Sequence, residues 1–161
     1  MLLALVVSAL LSQSNPELTV YVFTTTDCPI ANRYAPEIQR LAAKFGSQAR
    51  FVLVYPVRTD SLEMILEHKK KFAYSIESVR DTDQRLMKMT GVTISPEVAV
   101  MRGSQLLYRG RIDDRYAELG KDRQIPTRRD LEAALAATVG GKSVAVKETQ
   151  AIGCILADLL K

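Results

Sequence analysis

The corner formed by residues 18–29 does most to limit what this chain can fold into. The apolar run Leu18-Thr-Val-Tyr-Val-Phe23 reads as a buried strand. Thr24–Asp27 is turn-like, and a helical pattern then opens with Pro29 in its first turn. Cys28 falls at the joint between them. A thiol at the start of a helix lies where the backbone N–H groups favour negative charge, so the position suits a redox or nucleophilic cysteine. The alternative is a small apolar residue filling a strand–helix joint.

Two further segments bear on that choice. Pro36 lies eight residues beyond Cys28, inside the helical pattern, and should kink a helix running from Pro29 to Phe45. About sixty residues later, Gly91-Val-Thr-Ile-Ser-Pro96 forms a loop that ends in Ser95-Pro96 directly before another apolar strand. A proline opening a strand after a loop is a candidate cis peptide. A cysteine at a strand–helix corner, a proline eight residues on and a cis-proline loop facing the sulfur together resemble the thioredoxin-like superfamily. The resemblance spans most of residues 17–140.

The chain departs from that pattern in specific ways. Thioredoxins carry Cys-x-x-Cys, but the second position here is Ala31. Their buried acid on the preceding strand is replaced by Val22. The peroxiredoxin signature Thr-x-x-Cys-Pro is matched by Thr25 through Pro29. Its upstream proline, however, is Tyr21 here, and Ser95-Pro96-Glu97 stands where its activating arginine would be. The blocks Asp27–Asn32, Tyr108–Tyr116 and Gly153-Cys154 resemble, in order, those of bacterial secreted redoxin-domain proteins related to the alkyl hydroperoxide reductase/thiol-specific antioxidant superfamily.

At 161 residues, with 47% apolar and 25% charged residues, the chain is long enough for one domain with a substantial core. The net charge of +4 is spread along the sequence, and there is no tryptophan and little aromatic content, which argues against a nucleic-acid surface. Lys69-Lys70-Lys71 reads as the solvated end of a helix. Residues 1–12 form an apolar run too short to span a bilayer but suited to the core of a secretory signal, although a basic region before it is missing. The expectation is a signal segment over 1–14 and a periplasmic or secreted protein; an extra buried N-terminal element is the alternative. Export would place both cysteines where a disulfide persists.

The expected fold is α/β: a thioredoxin-like three-layer sandwich with a mixed central sheet, as one redoxin domain over 15–161. Strands are expected at 18–24, 50–57, 77–80, 97–102 and 105–109, the last two joined by a Gly103-Ser104 turn. Helices are expected at 29–45, from Asp60-Ser-Leu-Glu63 to Phe72, at 83–90 and from Thr127-Arg-Arg-Asp130 to Gly140. Leu131, Ala134, Leu135 and Val139 should share one face of the last helix. Two parts exceed the minimal plan: a long loop at 110–126 and a C-terminal tail extension. In the tail, Val144–Val146 reads as an edge strand and 151–160 as a short apolar helix carrying Cys154.

The loop is rich in Arg111, Asp113, Asp114, Arg115, Tyr116 and Arg123. Its arginines either approach Cys28 and favour its thiolate, or form a salt-bridged surface. Cys154 is the only cysteine besides Cys28, so any oxidised Cys28 that is resolved within the chain must be resolved by it. Three readings stay open: a redox pair, a permanent staple contributing roughly 4–5 kcal/mol on the chain-entropy model, or an unpaired Cys154 buried in the tail. His68 is the sole histidine; beside a lysine run it reads as a surface residue, yet Cys28, His68 and Cys154 also match the ligand count of copper-binding relatives of the fold.

The resemblance thus implies a thiol–disulfide oxidoreductase with Cys28 as nucleophile and Cys154 as its candidate resolving partner. Thr25, Asp27, Pro29, Pro96 and Arg111 are the supporting residues. Asp27 is a candidate acid or base, although its charge also opposes a neighbouring thiolate. No cofactor and no resident metal are expected. Partners would be protein thiols or disulfides or a small thiol reductant, with no nucleic acid, and membrane contact only through the N-terminal segment. The alternatives are a copper-binding or redox-inert interaction module and, less favoured, a peroxiredoxin-like peroxidase.

Overall fold

The computed structural model describes residues 18–156; the signal segment expected over 1–14 lies outside them. Its centre is a five-stranded mixed sheet. The strands are β1 (Leu18–Phe23), β2 (Ala49–Tyr55), β3 (Glu77–Arg80), β5 (Glu97–Arg102) and β6 (Gln105–Gly110), in the order β3-β2-β1-β5-β6. The pairs β1–β2 and β2–β3 are parallel, whereas β5 runs antiparallel to β1 and to β6. Gly103, at a φ of +56°, supplies the left-handed turn of the β5–β6 hairpin.

Alternation along the strands sorts the core into two layers. Val20, Val22, Leu53, Tyr55, Val98 and Val100 face one side with Ile38, Leu41, Leu131 and Leu135. Phe23, Val52, Val54 and Ala99 face the other with Met87, Val92 and Leu156. The first side is covered by helices α2 (Ala35–Phe45), α3 (Leu62–Lys71) and α5 (Asp130–Val139), the second by α4 (Arg85–Thr90). On α5 the buried stripe is Leu131, Ala134, Leu135 and Thr138, and Val139 is exposed, contrary to the expected face.

The helix expected over 29–45 is two helices. The first, α1 (Pro29–Arg33), ends at Tyr34, which has φ −83° and ψ −6° and starts α2. Pro36 has no N–H to offer the carbonyl four residues back, so the chain breaks two residues before it instead of bending at it. The Tyr34 ring is buried there, and its hydroxyl donates to Asp113 at 2.6 Å. Ser61 caps α3 by accepting from the Met64 N–H at 3.1 Å.

The 110–126 loop contains a small hairpin of β7 (Tyr116–Glu118) and β8 (Lys121–Asp122). Its acids are structural. Asp114 accepts from the Thr127 and Arg128 N–H groups, and Asp113 joins Tyr34 to the Arg115 N–H. Arg111 forms a 2.7 Å ion pair with Asp130 on α5. The approach of these arginines to Cys28 is therefore replaced by the salt-bridged arrangement.

The tail also differs from expectation. Residues 144–146 form no strand; the backbone instead pairs one step later, with the Arg109 N–H donating to Lys147 O at 3.0 Å and the Thr149 N–H to Arg109 O at 3.1 Å. Gly110, at a φ of +147°, permits this approach, because a Cβ there would run into Thr149. Cys154 lies not on a helix but in a two-residue strand, β9 (Cys154–Ile155), antiparallel to β4 (Ile94–Ser95). Among the described residues no helix is long and apolar enough to cross a membrane.

His68 is buried, with 4% of its surface exposed, contrary to its surface reading. Its Nδ1 lies 2.9 Å from the Tyr55 hydroxyl and its Nε2 2.7 Å from Asn32 Oδ1, and it packs against Phe72 and Tyr74. Burial holds its pKa below the ordinary 6.5. Below that pH the unfolded chain binds a proton that folded His68 resists, so this group lowers stability as the solution is acidified. The wild-type melting temperature should fall as pH drops below 6.5, and the His68→Gln variant should show a flatter profile over that interval. Parallel profiles would contradict the assignment.

Candidate functional site

Cys28 is the N-cap of α1, with an extended backbone (φ −78°, ψ 108°) that hands the strand direction over to the helix. Pro29 occupies the first helical turn, where its missing N–H leaves no ladder bond unmade. The Asn32 N–H donates to Cys28 O at 3.0 Å, closing the first helical turn. The sulfur makes no capping bond. Instead its S–H donates across the site to Ser95 O at 3.3 Å, and the residue is only 1% exposed.

The turn before Cys28 is held from both ends. The Thr24 N–H donates to Val54 O at 2.9 Å, tying the turn to β2. The Thr25 hydroxyl donates to Asp27 Oδ1 at 2.7 Å. The Thr26 hydroxyl and N–H both donate to the buried carboxylate of Asp60, at 2.6 and 3.3 Å. In the sequence Asp60 reads only as part of a helix start. Ser61 takes the cap, which leaves the Asp60 carboxylate free to clamp the cysteine turn.

The opposite wall is the segment 93–97. The Ser95–Pro96 peptide bond is cis, and Ser95 is fully buried. Glu97 follows at the start of β5, buried, and accepts from the Thr93 and Ile94 N–H groups at 3.1 and 3.3 Å. Burial pushes the Glu97 carboxyl up, against the opposing pull of those two N–H groups and of Arg109. The residue was not singled out from sequence. Its signal was a lone acid directly after Pro96 in a strand that is otherwise apolar up to Arg102.

The tail brings the second cysteine to this wall. In the β4–β9 pair, Cys154 is opposite Ser95 and Ile155 opposite Ile94, and the Leu156 N–H donates to Thr93 O at 2.8 Å. The Leu156 side chain is buried with Phe23, Val54, Met87 and Val92. Ser95 therefore serves both sulfurs: its carbonyl accepts from Cys28, and its backbone pairs with Cys154. The tail can come this close because residue 153 is glycine. A Cβ there would overlap the Ser95 carbonyl and sit 3.1 Å from Pro96 Cδ.

The half-buried Cys154 thiol is pushed up to about 12, chiefly by desolvation. The proximity of Cys28 and Asp27 acts in the same direction, so the Cys154 thiol is held protonated.

Of the residues expected to support the site, Thr25, Asp27, Pro29 and Pro96 surround Cys28, whereas Arg111 is engaged by Asp130 and Thr149. The set Cys28, His68 and Cys154 is not assembled as a ligand cluster. Both ring nitrogens of His68 are taken by Tyr55 and Asn32, and among the described residues no group of three or more His, Cys, Asp or Glu side chains is arranged to hold a metal.

No protein-family model matches the chain, and no curated protein matches it. Solved structures do. An uncharacterized conserved protein from Geobacillus kaustophilus superposes with a TM-score of 0.73 at 24% identity, over 86% of this chain and 76% of that one. A hypothetical protein from Sinorhizobium meliloti 1021 gives 0.73 at 24% identity, over 88% and 79%. A secreted Mycobacterium tuberculosis disulfide oxidoreductase homologous to E. coli DsbE gives 0.50 at 18% identity, over 77% and 81%. The chain has a thioredoxin-like fold.

The Gly153 contact yields a direct check. Gly153→Ala should push the tail off the cis-proline wall, lowering stability by about 1–3 kcal/mol. It should also slow formation of a Cys28–Cys154 bond under a mild oxidant, read by free-thiol counting. Wild-type stability and rate would show that the close approach is unimportant.

Proposed function

We propose that the protein is a thiol–disulfide oxidoreductase in which Cys28 is the nucleophile and Cys154 the resolving cysteine. The observation that carries this reading is the pairing of β9 with β4, which places Cys154 opposite Ser95, the residue whose carbonyl accepts from the Cys28 thiol. A chain without a cysteine at position 31 acquires its second sulfur through space, from 126 residues away in sequence (154 − 28).

The steps follow from the groups present. Cys28, as thiolate, attacks one sulfur of a substrate disulfide, forming a mixed disulfide and releasing the other substrate sulfur as a thiolate. The Cys154 thiol stays protonated through this first step. Resolution requires Cys154 to lose that proton, and the nearby Asp27 carboxylate is the acceptor the site offers. The Cys154 thiolate then attacks the Cys28 sulfur, forming Cys28–Cys154 and releasing the second substrate thiolate. Two protein thiols are oxidised and one substrate disulfide is reduced; the reverse sequence oxidises a dithiol.

Other observations favour this chemistry over its alternatives. Peroxide reduction would need an activating cation at the sulfur, but among the described residues Cys28 Sγ bonds to Ser95 O, and Arg111 is bound to Asp130. The copper-binding alternative loses its third ligand to the Tyr55–His68–Asn32 network. The leader-like segment 1–14 and the fold shared with a secreted disulfide oxidoreductase support a periplasmic or secreted protein acting on protein thiols or disulfides, or on a small thiol.

Trapping tests the assignment. With glutathione disulfide as oxidant, Cys154→Ser should accumulate a glutathione adduct on Cys28, found by peptide mass mapping. The unmodified sequence should pass through that adduct to the Cys28–Cys154 bond and release glutathione. An adduct confined to Cys154 in the wild-type chain, or none on Cys28 in Cys154→Ser, would overturn the roles.

A further inference from the structure

The tail that carries the second cysteine pairs with the wall that the first one faces. Cys28 is 1% exposed although its neighbours Asp27 and Pro29 are exposed; its thiol donates to Ser95 O, and β9 pairs with that same residue. A sulfur so placed cannot be reached by a partner's disulfide in this conformation, because in-line attack needs room for two further sulfur atoms.

The tail is attached at two places of different character. Its first anchor, 147–149, is doubly tied to β6. The backbone pairs with Arg109, and the Thr149 hydroxyl lies 2.7 Å from the Tyr108 hydroxyl and accepts from the Arg111 N–H at 3.1 Å. Glu148 adds an ion pair to Arg109, whose guanidinium also donates to Gly91 O at 3.0 Å. The second anchor, 154–156, consists of the two-residue β9 pairing, the Leu156 N–H bond to Thr93 O and the buried Leu156 side chain. Between them the chain borders an open cleft of about 400 Å3, lined by Thr93, Ile94, Glu97, Arg109 and Gln150 among others. Before the second anchor, Ala151 is buried and Ile152 packs against the main core, so the part held by few backbone bonds and one apolar plug is 153–156, the kind of segment that opens locally without global unfolding.

We infer that residues 153–156 form a gate over Cys28: they lift from β4 to admit a substrate sulfur, and redock through Leu156 to bring Cys154 back for resolution. The inference rests on the redox reading of Cys28. Since 147–152 stays anchored, the lifted Cys154 remains tethered through Gly153, which keeps its effective concentration near Cys28 high. Leu156 is then a positioning residue. It sets how much of the time Cys28 is covered and how readily Cys154 returns. Opening and closing involve no covalent change.

The experiment uses iodoacetamide as a small probe of Cys28, in the full chain carrying Cys154→Ser so that one thiol remains. Adding Leu156→Asp removes the apolar plug and should accelerate carboxamidomethylation of Cys28 on the order of tenfold or more, the factor by which the open population rises. The cooperative thermal melt should be retained. Leu156→Ala should give a smaller acceleration in the same direction, and decides the matter if the aspartate variant fails to fold. Unchanged labelling in a folded Leu156 variant would overturn the gate. The two readings fail separately. With Cys154 present, a reversible Cys28–Cys154 bond alongside unmoved labelling leaves the redox pair and removes the gate. Accelerated labelling without any such bond leaves the gate and removes the redox pair.

Discussion

The site depends on one short antiparallel contact, between Ile94–Ser95 and Cys154–Ile155. Ser95 contributes its carbonyl to the Cys28 thiol and its backbone position to Cys154, so one residue fixes both sulfurs. Everything around it serves to hold that residue still. Glu97 collects the preceding N–H groups, Pro96 follows with a cis bond, and Gly153 leaves the space in which the tail passes. On the other side, Asp60 and Val54 hold the cysteine turn. The two walls come from segments far apart in sequence, and β1 and β5 place them side by side by pairing Phe23 with Glu97.

The two cysteines sit in different environments. Desolvation, with Cys28 and Asp27 nearby, keeps the proton on Cys154. In the proposed mechanism a mixed disulfide at Cys28 would remove one of those influences before Cys154 ionises. The pair is therefore asymmetric by environment. In a local Cys-x-x-Cys motif one helix positions both sulfurs; here the second is supplied by a tail strand.

What could be read from the sequence follows the range of the interactions involved. The strand–turn–helix corner at Cys28, the β5–β6 hairpin and the positions of the strands along the chain are set by contiguous patterns and by turn chemistry at Gly103, and these are legible. The division of α1 from α2 at Tyr34 was not, because Pro36 shows that a helix is disturbed but not on which residue the break settles. His68 looked exposed from its lysine neighbours; its burial comes from Tyr55 and Asn32, on other elements. Arg111 looked available to Cys28 because its loop is long, yet Asp130 claims it. The tail was least legible. Ile152-Gly-Cys-Ile-Leu156 is a short apolar run that suits helix or strand equally, and its partner strand lies about sixty residues away. Gly153 carried the signal, as a residue without a side chain beside the second cysteine.

The proposed function requires a Cys28–Cys154 bond that opens and closes reversibly. Its direct test is a redox titration of the full chain in defined glutathione or dithiothreitol mixtures, with thiol counting and mass mapping at each potential. The expected result is a Cys28–Cys154 bond with a midpoint in the range of catalytic dithiols, roughly −120 to −270 mV. A bond that stays closed far below that range would make the pair a structural staple. Two thiols that never pair would contradict the mechanism altogether.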